Sequence, residues 1–280
     1  MEKDNAALVS RLQWPNDPLG SFTAAFSLNG FNEKINSSFG LSGSYELNLA
    51  DRGGRYEGGL NYGYRVLFLE SGYLCFGLGA NYSDLICDID AFTTSFDPKA
   101  NDLPVLPDNK RESSLSASGG ILFHTMENRY IGFSMRDIEF YKISADTGGT
   151  FRRGKTFSFQ ARGQWNISRE ASILPYFMYE HYGQLSFDHN SGASQTVIKP
   201  YSLYFLQLNL YRRKTIVIGV GYKFYPRNYG STNYRIAFFP GGERAMLGYS
   251  FDTKPFIQND RIHWISSHEL SFKYLISTNQ

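Results

Sequence analysis

Residues 156–168 read TFSFQARGQWNIS, with Phe157, Phe159, Ala161, Gly163, Trp165 and Ile167 on the odd positions and Ser158, Gln160, Arg162, Gln164 and Asn166 on the evens. Strict alternation with period two is the signature of a β-strand that carries one apolar and one polar face. The fold turns on which face points inward. In a soluble protein the aromatic face is the core. In a membrane barrel it meets lipid and the polar face lines the lumen.

The same alternation recurs from end to end. It is visible in FTAAFSL (22–28), FGLSGSYEL (39–47), LNYGYRVLF (60–68) and LCFGLGANY (74–82). It continues at 115–123, 130–138, 172–182, 202–211, 215–225, 233–239, 244–251 and 267–276. With a first strand at 5–14 and the opening stretch, the count is fourteen. Tight turns are expected at 32–34, 70–72, 126–128, 168–170, 212–214 and 241–243. Longer connections are expected at 13–20, 48–55, 90–112, 139–151, 184–200, 226–232 and 253–265. Short and long alternate, as in outer-membrane barrels with short periplasmic turns and long extracellular loops. The expected fold is therefore all-β: a closed, antiparallel, up-and-down transmembrane β-barrel of about 14 strands, one domain over 1–280, with both termini periplasmic.

Composition agrees. The chain has 280 residues, with 20 Tyr, 23 Phe and 27 Gly, yet its mean hydropathy is only −0.35. Half of every barrel strand is polar by construction, which reconciles many aromatics with low hydropathy. No apolar run is long enough for a transmembrane helix, and MEKDNAALVS contains no signal-peptide apolar region. The export signal of such a barrel is thus expected to lie outside this chain. The net charge of +2 and the lack of a basic stripe give no reason to expect nucleic acid. Cys75 and Cys87 share one candidate strand, which would separate them by roughly 40 Å, too far to bridge.

Lipid-exposed backbone must be fully hydrogen-bonded, and a closed barrel achieves this without edges. Fourteen strands enclose more space than side chains alone would fill. Arg11, Glu46, Arg65, Arg136, Arg162, Arg235 and Lys273 fall on the polar faces and are expected in the lumen. There Arg65, Arg136 and Arg162 would contact a plug or passing cargo, or pair with inward acids such as Glu46. A soluble all-β binding protein with an apolar cavity is the competing reading, and it would leave many aromatics in water.

Chemistry-bearing clusters are weak. His124, His181, His189, His263 and His268 are scattered without metal spacing. Asp88 and Asp90 in CDID offer only two carboxylates to calcium, and a solvated loop explains them as well. Asp84, Asp88, His181 and His263 would have to converge at the outer rim for a barrel protease, and spacing supplies no such geometry. Neither catalysis, a metal nor a cofactor is expected.

Several spaced motifs carry a family resemblance. RLQWP (Arg11–Pro15), GGLNYGYRVLF…GYLCFGLGANY, IGFSMRDI, ILPYFMYEH, RAMLGYSFD and SSHELSFKY together resemble the PorP/SprF-like proteins of Bacteroidota. The resemblance spans nearly the whole chain, but the family's N-terminal N-P-A-Y-A-G segment is missing, and the end reads STNQ where an aromatic residue is usual. It implies a non-enzymatic outer-membrane barrel of the type IX secretion system. Such a protein would serve as partner or anchor for secretion or surface display of cargo, gliding adhesins and their C-terminal domains included, and would contact periplasmic components. A passive or substrate-specific pore is the alternative. The candidate lumen or partner contacts are Arg11, Gln13, Trp14, Glu46, Arg65, Arg136, Arg162, His268 and Glu269. Trp14 reads either as a docking residue at the extracellular rim or as an anchor in an aromatic girdle.

Overall fold

The computed structural model describes residues 4–13, 21–48, 54–68, 72–87, 110–145, 149–152, 154–189, 195–198, 200–212, 215–225, 228–240, 244–258 and 261–276. Its strands in chain order are β1 (Asp4–Gln13), β2 (Ser21–Asn32), β3 (Ser37–Asn48), β4 (Gly54–Phe68), β5 (Gly72–Cys87), β6 (Lys110–Thr125), β7 (Tyr130–Ala145), β8 (Gly149–Arg152) and β9 (Thr156–Arg162). There follow β10 (Trp165–Asn166), β11 (Ala171–Tyr182), β12 (Leu185–His189), β13 (Gln195–Ile198), β14 (Tyr201–Arg212), β15 (Ile216–Tyr225), β16 (Asn228–Phe238), β17 (Ala245–Gln258) and β18 (Arg261–Ile276). Every barrel strand pairs antiparallel with its neighbours, and β18 returns to β1 from Asp4↔Ile276 to Gln13↔Ser267. The ring is closed.

β9 and β10 are two pieces of one wall strand. Both pair with β11 in a single register, Arg162↔Tyr176 and Trp165↔Ile173. The interruption at Gly163 falls opposite Pro175. Gly163 N–H still donates to Pro175 O at 3.0 Å, but proline has no N–H to return the second bond of that pair. Counted as one, the two pieces bring the barrel to 14 strands, as the alternation requires.

Exposure settles the question posed by residues 156–168. Trp165 is 57% exposed and Ile167 61% on the outer surface, whereas Thr156 is 2% exposed on the inner one. The pattern holds around the ring: Leu60 and Leu78 stand 66% and 68% exposed, while Glu180, Asn209 and Asn233 are buried. Among the described residues only Leu174, Leu203 and Ala237 are buried hydrophobics. There is no oily interior, so the soluble reading fails. The exposed aromatics and aliphatics form the lipid-facing belt expected of a membrane barrel.

The strands are longer than their alternating segments in several places. Residues 226–232 and 253–265, read as long connections, belong largely to β16, β17 and β18, which stay paired out to Gln258↔Arg261. The alternation of short and long connections therefore breaks on that side of the barrel. Turns at 33–36 and 126–129 match expectation, each with an asparagine in the left-handed region, Asn36 at φ 50° and Asn128 at φ 62°, a conformation asparagine tolerates well. The β6–β7 ladder slips register three times. Asp137 sits at φ 60° within this irregular stretch, and its carboxylate accepts a bond from Thr156 Oγ1 at 3.0 Å.

Two long connections meet beyond the wall. β8 and β13 flank β12 in a separate three-stranded sheet. At its base Gly183 N–H donates to Lys155 O at 2.9 Å. A Cβ on Gly154 would lie 2.4 Å from the Gly183 carbonyl carbon and 2.6 Å from Gln184 N. Backbone cannot yield as a flexible side chain does, so Gly154→Ala should part the two connections at a cost of about 1–3 kcal/mol. Limited proteolysis is expected to nick the 146–155 or 183–200 region faster in this variant while the barrel keeps its heat-dependent gel mobility.

Candidate functional site

Among the described residues, the inward faces of the strands line two polar cavities in the lumen. One, of about 890 Å³, lies toward the short-turn end and is lined by Arg162, Asn209, Arg235 and Lys273 among others. The other, of about 520 Å³, lies toward the long-connection end and is lined by Gln13, Glu46, Arg55, Asp137 and Glu139 among others. The first is predominantly cationic and the second predominantly acidic. A charge gradient therefore runs along the barrel.

Between them lie built charge networks. Asp252 on β17 is the hub of one. Its carboxylate takes Lys223 Nζ at 2.8 Å, Asn233 Nδ2 at 2.8 Å, Ser267 Oγ at 3.2 Å and Arg11 at 3.4 Å. Five strands, β1, β15, β16, β17 and β18, converge on one carboxylate. Arg136 pairs with Glu180 at 2.6 Å, reaching from β7 past β9 to β11, and the Tyr182 hydroxyl donates to the same carboxylate. Ion pairs exposed to bulk water contribute little, but pairs in a narrow, partly desolvated lumen are screened less.

The sequence-derived residues divide as follows. Arg11, Gln13, Glu46, Arg65, Arg136, Arg162 and Glu269 all occupy inward register positions. Glu46 is not the partner of Arg65, Arg136 or Arg162: it faces Arg55 across the ladder, while Arg55 itself pairs with Glu57. Arg65 reaches aromatic rings on β2 and β5. Its guanidinium lies between the rings of Phe31 at 4.2 Å and Tyr73 at 4.6 Å, an arrangement that favours a cation over π faces. Glu269 stands opposite Arg11 in register, although Arg11 makes its ion pair with Asp252.

His268 is on the outer face, in line with Leu270 and Phe272. Its Nδ1 lies 2.7 Å from the Tyr249 hydroxyl and its ring 5.1 Å from that of Phe251. It is therefore no lumen contact. Trp14, Asp88 and Asp90 lie outside the described residues, and nothing of the His263 side chain is described. Asp84 accepts from Ser113 Oγ at 2.9 Å on β6, whereas His181 Nδ1 lies 3.1 Å from Ser202 on β14, so these two do not form a dyad. Among the described residues no cluster of three or more His, Cys, Asp or Glu is placed to hold a metal ion.

Sequence reasoning missed Asp252, Lys223 and Glu180, which carry the networks. Their faces were legible, since Asp252 alternates with Phe251 and Glu180 with Tyr179. Their ionic partners were not, because the ion pairs skip strands.

The outer wall bears a third cavity, an apolar depression of about 830 Å³ over the β9–β11–β14 region. Ala161, Gly163 and Pro175 line it, with Phe177, Leu206 and Tyr222. Small residues next to large ones hollow the lipid-facing surface there.

Comparison with solved structures places the fold among outer-membrane channels. The chain is similar to the CymD monoaromatic hydrocarbon channel, with TM-score 0.59 and 11% identity, covering 100% of this chain and 90% of that one. It is also similar to the Ralstonia pickettii toluene transporter TbuX, with TM-score 0.61, 9% identity, and coverage of 99% and 90%. The P. putida toluene transporter TodX gives TM-score 0.57, 7% identity, and coverage of 100% and 91%. At these identities the likeness is one of fold alone. No curated protein sequence matches the chain. The family profile described as type IX secretion system membrane protein PorP/SprF matches residues 2–274.

Proposed function

Because the chain belongs to the PorP/SprF family of type IX secretion system membrane proteins, we propose that it serves that system as a non-catalytic outer-membrane partner or anchor. In this role it holds secreted cargo or an adhesin C-terminal domain at the surface and contacts periplasmic components through its short turns. The observation that carries the reading is the family match over residues 2–274. The lumen supports it: the Arg136–Glu180 and Asp252 networks tie distant strands together inside the barrel, which suits a rigid scaffold better than an unobstructed conduit.

The test is recovery of partners after gentle solubilisation of native membranes. Secretion-system components or a secreted adhesin should co-purify with the chain at near-stoichiometric yield. Repeated recovery of the chain alone, under conditions that keep other envelope complexes intact, counts against the proposal.

A second reading, an outer-membrane pore, is favoured by the two polar lumen cavities and by a fold shared with proteins described as hydrocarbon channels and toluene transporters. Steady conductance in planar bilayers would favour the pore. A silent bilayer containing folded protein would favour the scaffold.

A further inference from the structure

We propose that the short-turn end of the lumen is an oxyanion-binding vestibule, with Arg162, Arg235 and Lys273 as its ligating cations. The cavity they line measures about 890 Å³, within the usual range for a ligand site. Arg162 projects from β9, Arg235 from β16 and Lys273 from β18, so the three cations come from well-separated parts of the wall.

Among the described residues these cations lack paired counter-charges: no carboxylate lies within ion-pair distance of Arg162, Arg235 or Lys273. Arg162 faces Tyr130, a neutral residue, across the β7–β9 ladder. Arg235 shares a register row with Glu269 through Ser250, without an ion-pair contact between them, and lines the same cavity as Arg162. The nearest balanced centre, Asp252, is already committed to Lys223 and Arg11. Glu170 does line the cavity, but from the turn at its rim and beside another cation, Arg169.

Two guanidinium groups and an ammonium lining one cavity concentrate positive potential and draw in anions. Guanidinium groups match the planar or tetrahedral oxygens of carboxylate and phosphate and bind them by paired, charge-assisted hydrogen bonds. Asn209, Gln207 and Ser172 line the same space and supply neutral donors around the charge. The ligand class is thus a carboxylate or phosphate group, carried either by a small free anion or by an acidic polypeptide segment entering from the short-turn end. The two sources present the same oxygens to the same cations, and the experiment separates them.

The full chain in detergent or nanodiscs is titrated at constant ionic strength with inorganic phosphate, with pyrophosphate and with a short oligoglutamate peptide, chloride serving as the reference. Binding is read by equilibrium dialysis and by the shift in thermal midpoint. Saturable binding of phosphate or peptide above the chloride baseline is expected. Arg235→Gln and Lys273→Gln should each weaken it about tenfold, one charge-assisted contact's worth. Arg235→Lys should retain only part of it, keeping the charge but losing the paired donors. Glu269→Gln should tighten it severalfold by removing a carboxylate from the same register row. Glu46→Gln in the other cavity should leave it unchanged.

Tighter binding of phosphate or pyrophosphate than of oligoglutamate assigns the vestibule to a free anion, and the reverse order assigns it to a polypeptide. Heat-dependent gel mobility identifies variants that have folded. Should Arg235→Gln fail that check, Lys273→Gln, at the exposed end of β18, carries the test alone. Binding no better than chloride, or binding that folded Lys273→Gln leaves untouched, overturns the proposal.

Discussion

Arginine in place of Leu60 is expected to destabilise the folded barrel by about 2–4 kcal/mol in lipid, as charges on the lipid face near mid-membrane do. Leu60 lies mid-strand on β4 and is 66% exposed on the outer surface. Its neighbour Asn61 points the other way, into a lumen region walled by Gly40 and Gly79. Arginine at Asn61, an exposed position, keeps its charge in the water of the lumen. It should cost less than about 1 kcal/mol. Urea unfolding in vesicles measures both variants against the wild-type chain. The pair shares position, backbone and substitution, differing only in face. Should the two costs come out equal or reversed, the outward assignment of the apolar face is wrong.

The second large effect is expected at Asp252. Asp252→Ala removes the carboxylate shared by Lys223, Arg11, Asn233 and Ser267. Lys223 and Asp252 are mostly buried, with side-chain exposures of 16% and 13%, so the ammonium would be left poorly solvated. A fully buried unpaired charge costs 3–5 kcal/mol. The aqueous lumen lowers this, and about 1–3 kcal/mol is the expected loss. Arg11 is more exposed and should contribute little of it. The double variant Asp252→Ala with Lys223→Met should recover part of the loss, because it removes the stranded charge as well. The same unfolding assay completes the double-mutant cycle. A cost for Asp252→Ala within the range of surface pairs, with no coupling to Lys223, would mean that the network is a solvated cluster and holds nothing together.

How far the fold could be read in advance follows from what each level of structure depends on. The alternation of residues 156–168 is local, and so are its face assignments. Phe157, Trp165 and Ile167 lie outside, Thr156 and Ser158 inside. Strand ends were less legible. Residues 253–258 and 261–266 contain Pro255 and several polar residues, so they read as a loop, yet pairing between the two segments extends both strands. The register slips around Asp137 had no signal in the local pattern, since a bulge depends on the partner strand as much as on its own. At the lumen, face was legible and partnership was not. Arg136 and Glu46 were both correctly turned inward, but Arg136 found Glu180 two strands away. Arg65 settled between aromatic rings that no spacing rule joins to it. His268 shows the opposite failure, for its motif drew attention while its alternation with Glu269 already placed it outside. The depression over Ala161, Gly163 and Pro175 depends on which residues of β9, β11 and β14 meet across the wall, which the order within one strand does not encode.

The seam between β1 and β18 joins the beginning of the described chain to its end, Asp4 against Ile276. The ring therefore stays open until β18 has been synthesised and delivered. Until then the nascent sheet carries two raw margins of unsatisfied amides, which hydrocarbon does not tolerate. Such distant pairings also form slowly. Insertion must therefore be late and concerted, with another agent shielding both margins until they find each other.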